Sequence, residues 1–387
     1  MDLFRDSDLF RVYAIVFLAD ITVGIVIPTF PLYAESIGAS VFLLSIVVTG
    51  MGIARILSQV YLGALADVKG RKIVQIIGLL LFTSFPILTI AIHTPALLTI
   101  PLMMQGAGTI VFIMAASQIG DLVNKNEINK KMGMLIFIQG IGFSIGPFVG
   151  GFVIEEFGFR SAYYLSSSFS LLAILIAFGL KEKSPQGNSA SDDRSFIIKT
   201  KEILKKESIL YVGLLTILML LGFRSFITFF PLRGLELGMN AALIGSIVGV
   251  RTISSTIFRL PAGYLAESFG RRPLFIIALI LSSLGLAIFA TFSNLWMILL
   301  AASLEGAGFG IFLTVSRAFV VDSTDKSNRS TSLSITSSLG FLGQTIMILL
   351  LGSISDFVGL VLVFAIGSVF ILSLGLLLHV KFRSVSS

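Results

Sequence analysis

The segment Gly63-Ala-Leu-Ala-Asp67-Val-Lys69-Gly70-Arg71-Lys72 returns as Gly263-Tyr-Leu-Ala-Glu267-Ser-Phe-Gly270-Arg271-Arg272, at an offset of 263 − 63 = 200 residues. Each copy closes one long apolar run and opens another. Other positions keep the same register: Phe30-Pro31-Leu32 with Phe230-Pro231-Leu232, Gly38 with Gly238, and Gln105-Gly-Ala-Gly108 with Glu305-Gly-Ala-Gly308. A charged turn repeated in register makes the chain two related halves. In a membrane chain, paired halves are expected to enclose a substrate site near the bilayer midplane. The repeat therefore points towards a carrier.

The membrane setting follows from composition. Of 387 residues, 55% are hydrophobic and 13% charged, and the mean hydropathy is +0.98. Soluble domains carry roughly 25% charged residues. The apolar residues fall in blocks of about 20, long enough to cross hydrocarbon as helices, and no ten-residue strand rhythm suggests a barrel. Cysteine is absent, which excludes disulfides and thiolate metal sites. His93 and His379 are the only histidines, so no metal and no cofactor is expected. The first apolar run is too long for a signal core and lacks a small-residue cleavage pattern, so it reads as a span.

Twelve spans are predicted at about 11–33, 42–64, 73–92, 96–119, 133–154, 162–180, 209–232, 242–264, 273–291, 295–319, 332–354 and 358–380. They compose an all-α membrane protein of two six-helix pseudo-symmetric bundles, 1–180 and 208–387, joined by a polar linker at 181–207. Lys and Arg in the loops set orientation. With the N-terminus inside, one face receives Arg11, Lys72, Lys131, the basic linker, Arg272, Lys326 and their neighbours. The other receives only Arg160 and Arg233. Both termini are therefore expected in the cytoplasm, in a multi-pass protein of the cell membrane. The same asymmetry accounts for most of the formal +7 charge, so no nucleic-acid partner is implied.

Twelve spans in two halves, with both loop copies, resemble the major facilitator superfamily. The family loop reads Gly-x-Leu-Ala-Asp-Arg-x-Gly-Arg-Lys; here Val68 replaces its first Arg, and Glu267 replaces Asp in the second copy. The stretch Gly142-Phe-Ser-Ile-Gly146-Pro147-Phe-Val-Gly150-Gly151 is similar to the antiporter segment of the family's fifth helix. Small residues four apart let helices approach closely, and Pro147 removes a backbone donor and bends its helix. The resemblance implies alternating access by the drug or metabolite:proton antiporter branch, driven by a proton gradient. It implies gating roles for Asp67, Arg71 and Asp121, with Asp67 capping the helix that begins span 11. Gly63 would hold two helices close and Gly70 would keep the turn tight. Gly263, Glu267, Gly270 and Arg271 are the second-half counterparts. One departure stands out: family drug/proton antiporters carry an Arg where this chain has Leu102, three residues before Gln105.

Charges inside spans cost about 2.5–3.5 kcal/mol each on insertion scales, so they are kept for pairing or for a wet cavity. Five stand near mid-span: Asp20, Arg55, Arg224, Arg251 and Glu305. Asp20 and Glu305 are the candidates for proton coupling, Asp20 with a permanent ion pair to Arg55 as its alternative. Arg55, Gln105, Arg224 and Arg251 are candidate cavity residues, with Phe143 and Phe226 as possible walls. Arg251, Ser255 and Arg259 form one stripe at four-residue spacing. Three cations against two acids also suit an anionic or polyhydroxy substrate. Arg259, Arg317, Asp121 and Asp322, nearer the span ends, are expected to form ion pairs between bundles.

The leading expectation is a monomeric secondary transporter that exports a small organic molecule. An uptake or exchange carrier for an organic anion or sugar derivative is the same-fold alternative. A membrane-embedded lipid-modifying enzyme is the alternative of another class, but no nucleophile, metal set or acid–base pair supports it. No Gly-Lys-Ser nucleotide loop is present either, so ATP is not the expected energy source.

Overall fold

The computed structural model describes residues 7–124, 127–181, 202–325 and 329–382. Arg5, Lys125, Lys326, Arg383 and linker positions 182–201 lie outside that set. The α-helices bounded within the described residues are α1 (Ser7–Ser36), α2 (Val41–Lys69), α3 (Arg71–Ala91), α4 (Thr99–Gly108), α5 (Ile110–Leu122), α6 (Ile128–Phe178), α7 (Glu207–Glu236), α8 (Ala241–Phe269), α9 (Arg271–Thr291), α10 (Leu295–Asp322) and α11 (Arg329–Lys381). Ten apolar elements among the described residues are long enough to span a membrane. Two of these, in α6 and α11, each contain one non-helical residue, Gly158 at φ 79° and Gly359 at φ 75°. A positive φ suits glycine, which has no Cβ to clash, and each glycine folds its element into a hairpin of two crossings. Ten elements with two such hairpins accommodate the twelve expected spans.

Span 4, expected at 96–119, carries a local irregularity. A 3-10 turn at Pro95–Leu98 leads into α4, and α4 and α5 meet at Thr109, whose backbone stays in the helical region (φ −60°, ψ −10°), so Pro95–Leu122 remains one apolar span. The Thr109 hydroxyl donates to the Gly106 carbonyl at 2.7 Å, a back-bond that disturbs the helical ladder. Phe309 stands 200 positions later, and α10 runs through unbroken. Helix starts repeat as well: Ser40 caps α2 by accepting from Leu43 N at 3.1 Å, and Asn240 caps α8 by accepting from Leu243 N at 2.9 Å.

Packing divides the chain into two units, Met1–Asn188 with Gly234–Gly249, and Ser189–Arg233 with Val250–Ser387. The division differs from the expected 1–180 and 208–387 bundles because the end of α7 and the start of α8 group with the first unit. Inside the first, α1 lies against α6. Thr22 donates to the Ser166 carbonyl at 3.1 Å, and Ser166 donates to the Thr22 carbonyl at 3.0 Å. Thr83 and Ser170 hydroxyls meet at 2.8 Å, while Ser167 donates to the Thr83 carbonyl at 3.0 Å. In the second unit Ser283 and Ser368 exchange hydroxyl-to-carbonyl bonds at 2.9 and 2.8 Å. Thr83 and Ser283 share the 200-residue offset, so the repeat extends to a polar clasp between helices. Without water in hydrocarbon, such hydroxyls must find protein partners. The second unit's core is aromatic: Phe226 stacks on Phe230 at 4.8 Å, and both rings lie 5.1 Å from Phe289. Phe226 is thus a buried core residue rather than the expected cavity wall.

Candidate functional site

In the second unit α8 and α10 cross so closely that a Cβ on Gly306 would stand 2.1 Å from the Arg251 carbonyl oxygen. That approach places Arg251 beside Glu305. Arg251 Nε donates to one carboxylate oxygen of Glu305, and Nη2 donates to the other at 3.2 Å. Both residues are sealed from solvent, 1% and 0% exposed. The guanidinium carbon also lies 4.6 Å from the Phe223 ring centre and 4.7 Å from that of Phe309, two rings stacked 4.9 Å apart. Arg251 therefore satisfies its charge on Glu305 and its flat face on aromatic carbon.

The first unit builds the same crossing with different side chains. A Cβ on Gly106 would stand 2.2 Å from the Met51 carbonyl oxygen and 3.2 Å from Arg55 N. Met51 and Gln105 occupy the positions equivalent to Arg251 and Glu305, since 251 − 51 and 305 − 105 both equal 200. One half thus carries a neutral pair and the other an ion pair on one scaffold.

This corrects the charge reading. Arg251 is not an open cavity cation, and the excess of three cations over two acids loses one member of each sign to a closed pair. Ser255 is buried beside it on the α8 stripe, whereas Arg259 is partly exposed. Arg224, 9% exposed, follows Phe223 on α7, with its guanidinium carbon 5.9 Å from that ring. Arg55 is partly exposed on α2 and Gln105 is buried on α4. The residues that sequence reasoning missed are Phe223 and Phe309. Phe309 stands four residues after Glu305, on the same helical face, and that spacing was the available signal.

Asp20, 7% exposed on α1, belongs to another constellation. A Cβ on Gly142 would meet Asp20 Cβ at 2.9 Å and the Phe17 carbonyl at 2.8 Å. One on Gly146 would stand 2.4 Å from Gly24 C, and one on Gly150 would stand 2.8 Å from the Ile25 carbonyl. The stripe Gly142, Gly146 and Gly150 is thus the surface on which α6 receives α1. Gly151 turns to the start of α8, where a Cβ would meet the Ala241 carbonyl at 2.5 Å. Gly245 faces the Pro147 carbonyl, at 2.3 Å from its own would-be Cβ. Glu155 accepts from Ala241 N at 3.1 Å alongside. Phe143, partly exposed, lies on this helix.

The repeated turns form matching charge arrangements. Arg71 pairs with Asp121 and donates to the Ser117 carbonyl; Arg271 pairs with Asp322 and donates to the Ala318 carbonyl. Each acid has a partner inside its own unit, whereas the sequence reading gave these acids to contacts between bundles. Arg317 is itself on α10. Gly70 and Gly270 adopt φ of 94° and 79°. A Cβ on Gly63 or on Gly263 would meet nothing within 4 Å among the described residues. The side chain of Asp67 lies outside the described residues, and Glu267 is exposed.

The fold and these paired turns define a class. The Major Facilitator Superfamily model matches residues 12–235 and 212–386. The chain belongs to that superfamily and is a transporter rather than an enzyme. It is 19% identical over 380 residues to an uncharacterized MFS-type transporter of Methanocaldococcus jannaschii, across 97% of this chain and 98% of that protein. It is 24% identical over 228 residues to the quinolone resistance protein NorA of Staphylococcus aureus, a match that spans 59% of this chain and 58% of NorA. Among solved structures, the nucleoside transporter NupG superposes with a TM-score of 0.83 at 15% identity, covering 97% of this chain and 99% of that one. A POT family transporter superposes with a TM-score of 0.80 at 13% identity, covering 98% and 96%. At these identities the structural likeness speaks for the fold alone.

Proposed function

We propose that this transporter exports a small organic molecule from the cytoplasm by alternating access, in exchange for protons. The observation that carries this reading is the glycine stripe of α6. It resembles the antiporter segment residue by residue, and it is the surface that meets both α1 and the start of α8. A stripe without side chains lets packed helices slide or rock with little steric cost. The partial similarity to a quinolone resistance protein supports the same direction.

Asp20 is the proposed proton carrier: a buried carboxylate whose β-carbon rests on the stripe, so its protonation is coupled to that helix contact. Glu305 is the second candidate, and its proton would compete with Arg251 for the same oxygens. The Arg251–Glu305 pair takes one cation and one acid out of the count, and Arg55 and Arg224 still outnumber Asp20, so the same-fold alternative of an anionic cargo keeps its basis. Arg55, Arg224 and Gln105 remain proposed cavity residues. The bundles 1–180 and 208–387 are the proposed moving bodies, acting as a monomer in the cell membrane with both termini cytoplasmic.

Transport into inside-out vesicles tests the reading. Accumulation of a lipophilic or polar organic substrate should follow an imposed gradient that is acid inside, and collapse when a protonophore is added. Uptake indifferent to the gradient would remove proton coupling, and accumulation only in right-side-out vesicles would reverse the direction.

A further inference from the structure

At the end of the second unit that carries the α8–α9 turn, a cleft of about 950 Å³ opens between the start of α7, the turn itself and the end of α10. Lys206, Arg271 and Arg272 line it, with Glu207 and Asp322 as the acids. We infer that this cleft is a binding site for a phosphate group, carried by a lipid headgroup or by a soluble phosphate compound.

The argument begins with how the three cations are used. Arg271 is committed, to Asp322 and to the Ala318 carbonyl. Lys206 is only loosely paired, with Asp325 at 3.6 Å, and that carboxylate is 76% exposed. Arg272 has a carbonyl, that of Phe382, as its hydrogen-bond partner, and its Nε has no partner among the described residues. A structural role as a cap on the end of α11 occupies one of its five N–H groups. Nε is buried in the wall of the cleft, so the terminal N–H groups of Arg272, with the ammonium of Lys206, are the donors offered to a ligand, and they suit a tetrahedral oxyanion better than a flat or neutral one.

The pseudo-symmetry argues that the basic lining is specific to this copy. The first half has Asp6 and Asp8 where the second has Lys206 and Ser208, at the same 200-residue offset. There Asp8 pairs with Arg11, which donates to the Gly179 carbonyl at 2.8 Å, and Lys72 donates to the Phe178 and Leu180 carbonyls, each at 2.8 Å. The fold needs a cation at position 72 or 272 to close its helix end; it does not need a second one at 206. On the proposed orientation this cleft lies at the cytoplasmic surface, level with the headgroups of the anionic leaflet.

The test uses the purified full-length protein in nanodiscs of phosphatidylcholine, with and without phosphatidylglycerol. Inorganic phosphate is titrated into the first, and bound lipid is counted by native mass spectrometry in the second. Lys206→Gln and Arg272→Gln are compared with the parent, and an Arg160→Gln change distant in sequence serves as control. Phosphate binding weakened at least fivefold by both changes, and untouched by the control, would identify a soluble ligand. Retention of phosphatidylglycerol that falls at least fivefold, with no response to inorganic phosphate, would identify a lipid. If Arg272→Gln fails to fold, the partly exposed Lys206→Gln carries the comparison. Absence of both forms of binding, or binding unchanged in Lys206→Gln, would overturn the proposal.

Discussion

Arg251 donates two N–H groups to the two carboxylate oxygens of Glu305, at a helix crossing whose counterpart in the first half holds Met51 and Gln105. An ion pair in this setting does not by itself stabilise the fold. Its desolvation offsets its attraction, and replacement by a neutral pair can be harmless or better.

Breaking one side is different. Arg251→Met or Glu305→Gln alone should destabilise the second unit by about 3–5 kcal/mol, because each leaves a buried charge uncompensated. The double change copies the pair of the first half onto the same backbone crossing and should recover much of that loss. Thermal melting of the detergent-solubilised proteins reads both effects. Single variants that melt with the parent would mean that the pair is not formed in the folded protein.

Gly146 and Gly63 should part company when each is changed to Ala. A methyl at Gly146 has 2.4 Å to the Gly24 backbone and must push α1 away from α6, while one at Gly63 enters open space. Overpacking of this kind costs about 1–3 kcal/mol. The melting temperature should fall for Gly146→Ala and hold for Gly63→Ala. A transport defect in Gly63→Ala at unchanged stability would place its close contact in another conformation. Equal melting of both variants would contradict the packing described here.

Much of the fold is legible in the amino-acid sequence. The offset of 200 announced two halves, and it predicted the paired turns because both copies keep Gly, Gly and Arg in register. The interior pairing was less legible. Glu305 is the one mid-span acid of the second half and so the evident partner for a cation there, but Arg224 and Arg251 both stand at mid-span, and the neutral Met51 and Gln105 of the first half do not tell which of them takes it. Phe226 was misplaced for a related reason: hydropathy cannot separate a core ring from a cavity ring when both belong to apolar spans.

Asp20→Asn tests coupling. If Asp20 carries the proton, the amide should abolish pH-driven net transport and leave substrate exchange intact, since an amide mimics the protonated acid but cannot release a proton. If Asp20 instead neutralises Arg55, the single change should express poorly and Asp20→Asn with Arg55→Gln should recover. Full pH-driven transport by a well-expressed Asp20→Asn protein would eliminate both roles.

Orientation can be read by labelling, because the chain has no cysteine to remove. A single cysteine at Ser36 should react with a membrane-impermeant maleimide only from outside, and one at Ser189 or Lys326 only from the cytoplasm. Reaction of Ser36 and Ser189 variants from the same side would overturn the proposed topology.

The hairpins of α6 and α11 turn at Gly158 and Gly359, and α1–α2 and α7–α8 turn at Gly38 and Gly238, all at positive φ. A protease must draw several residues of chain out into an extended strand before it can cut. An antibody likewise needs an area of protruding surface to grip. These four turns, and the short connections at 92–98 and 292–294 that complete the six on that side, supply neither, so on the proposed orientation the molecule shows the exterior little more than the ends of its helices. A cell carrying it would expose almost nothing of the protein to digestion or to immune recognition, and surface proteolysis of intact cells should leave the full-length chain.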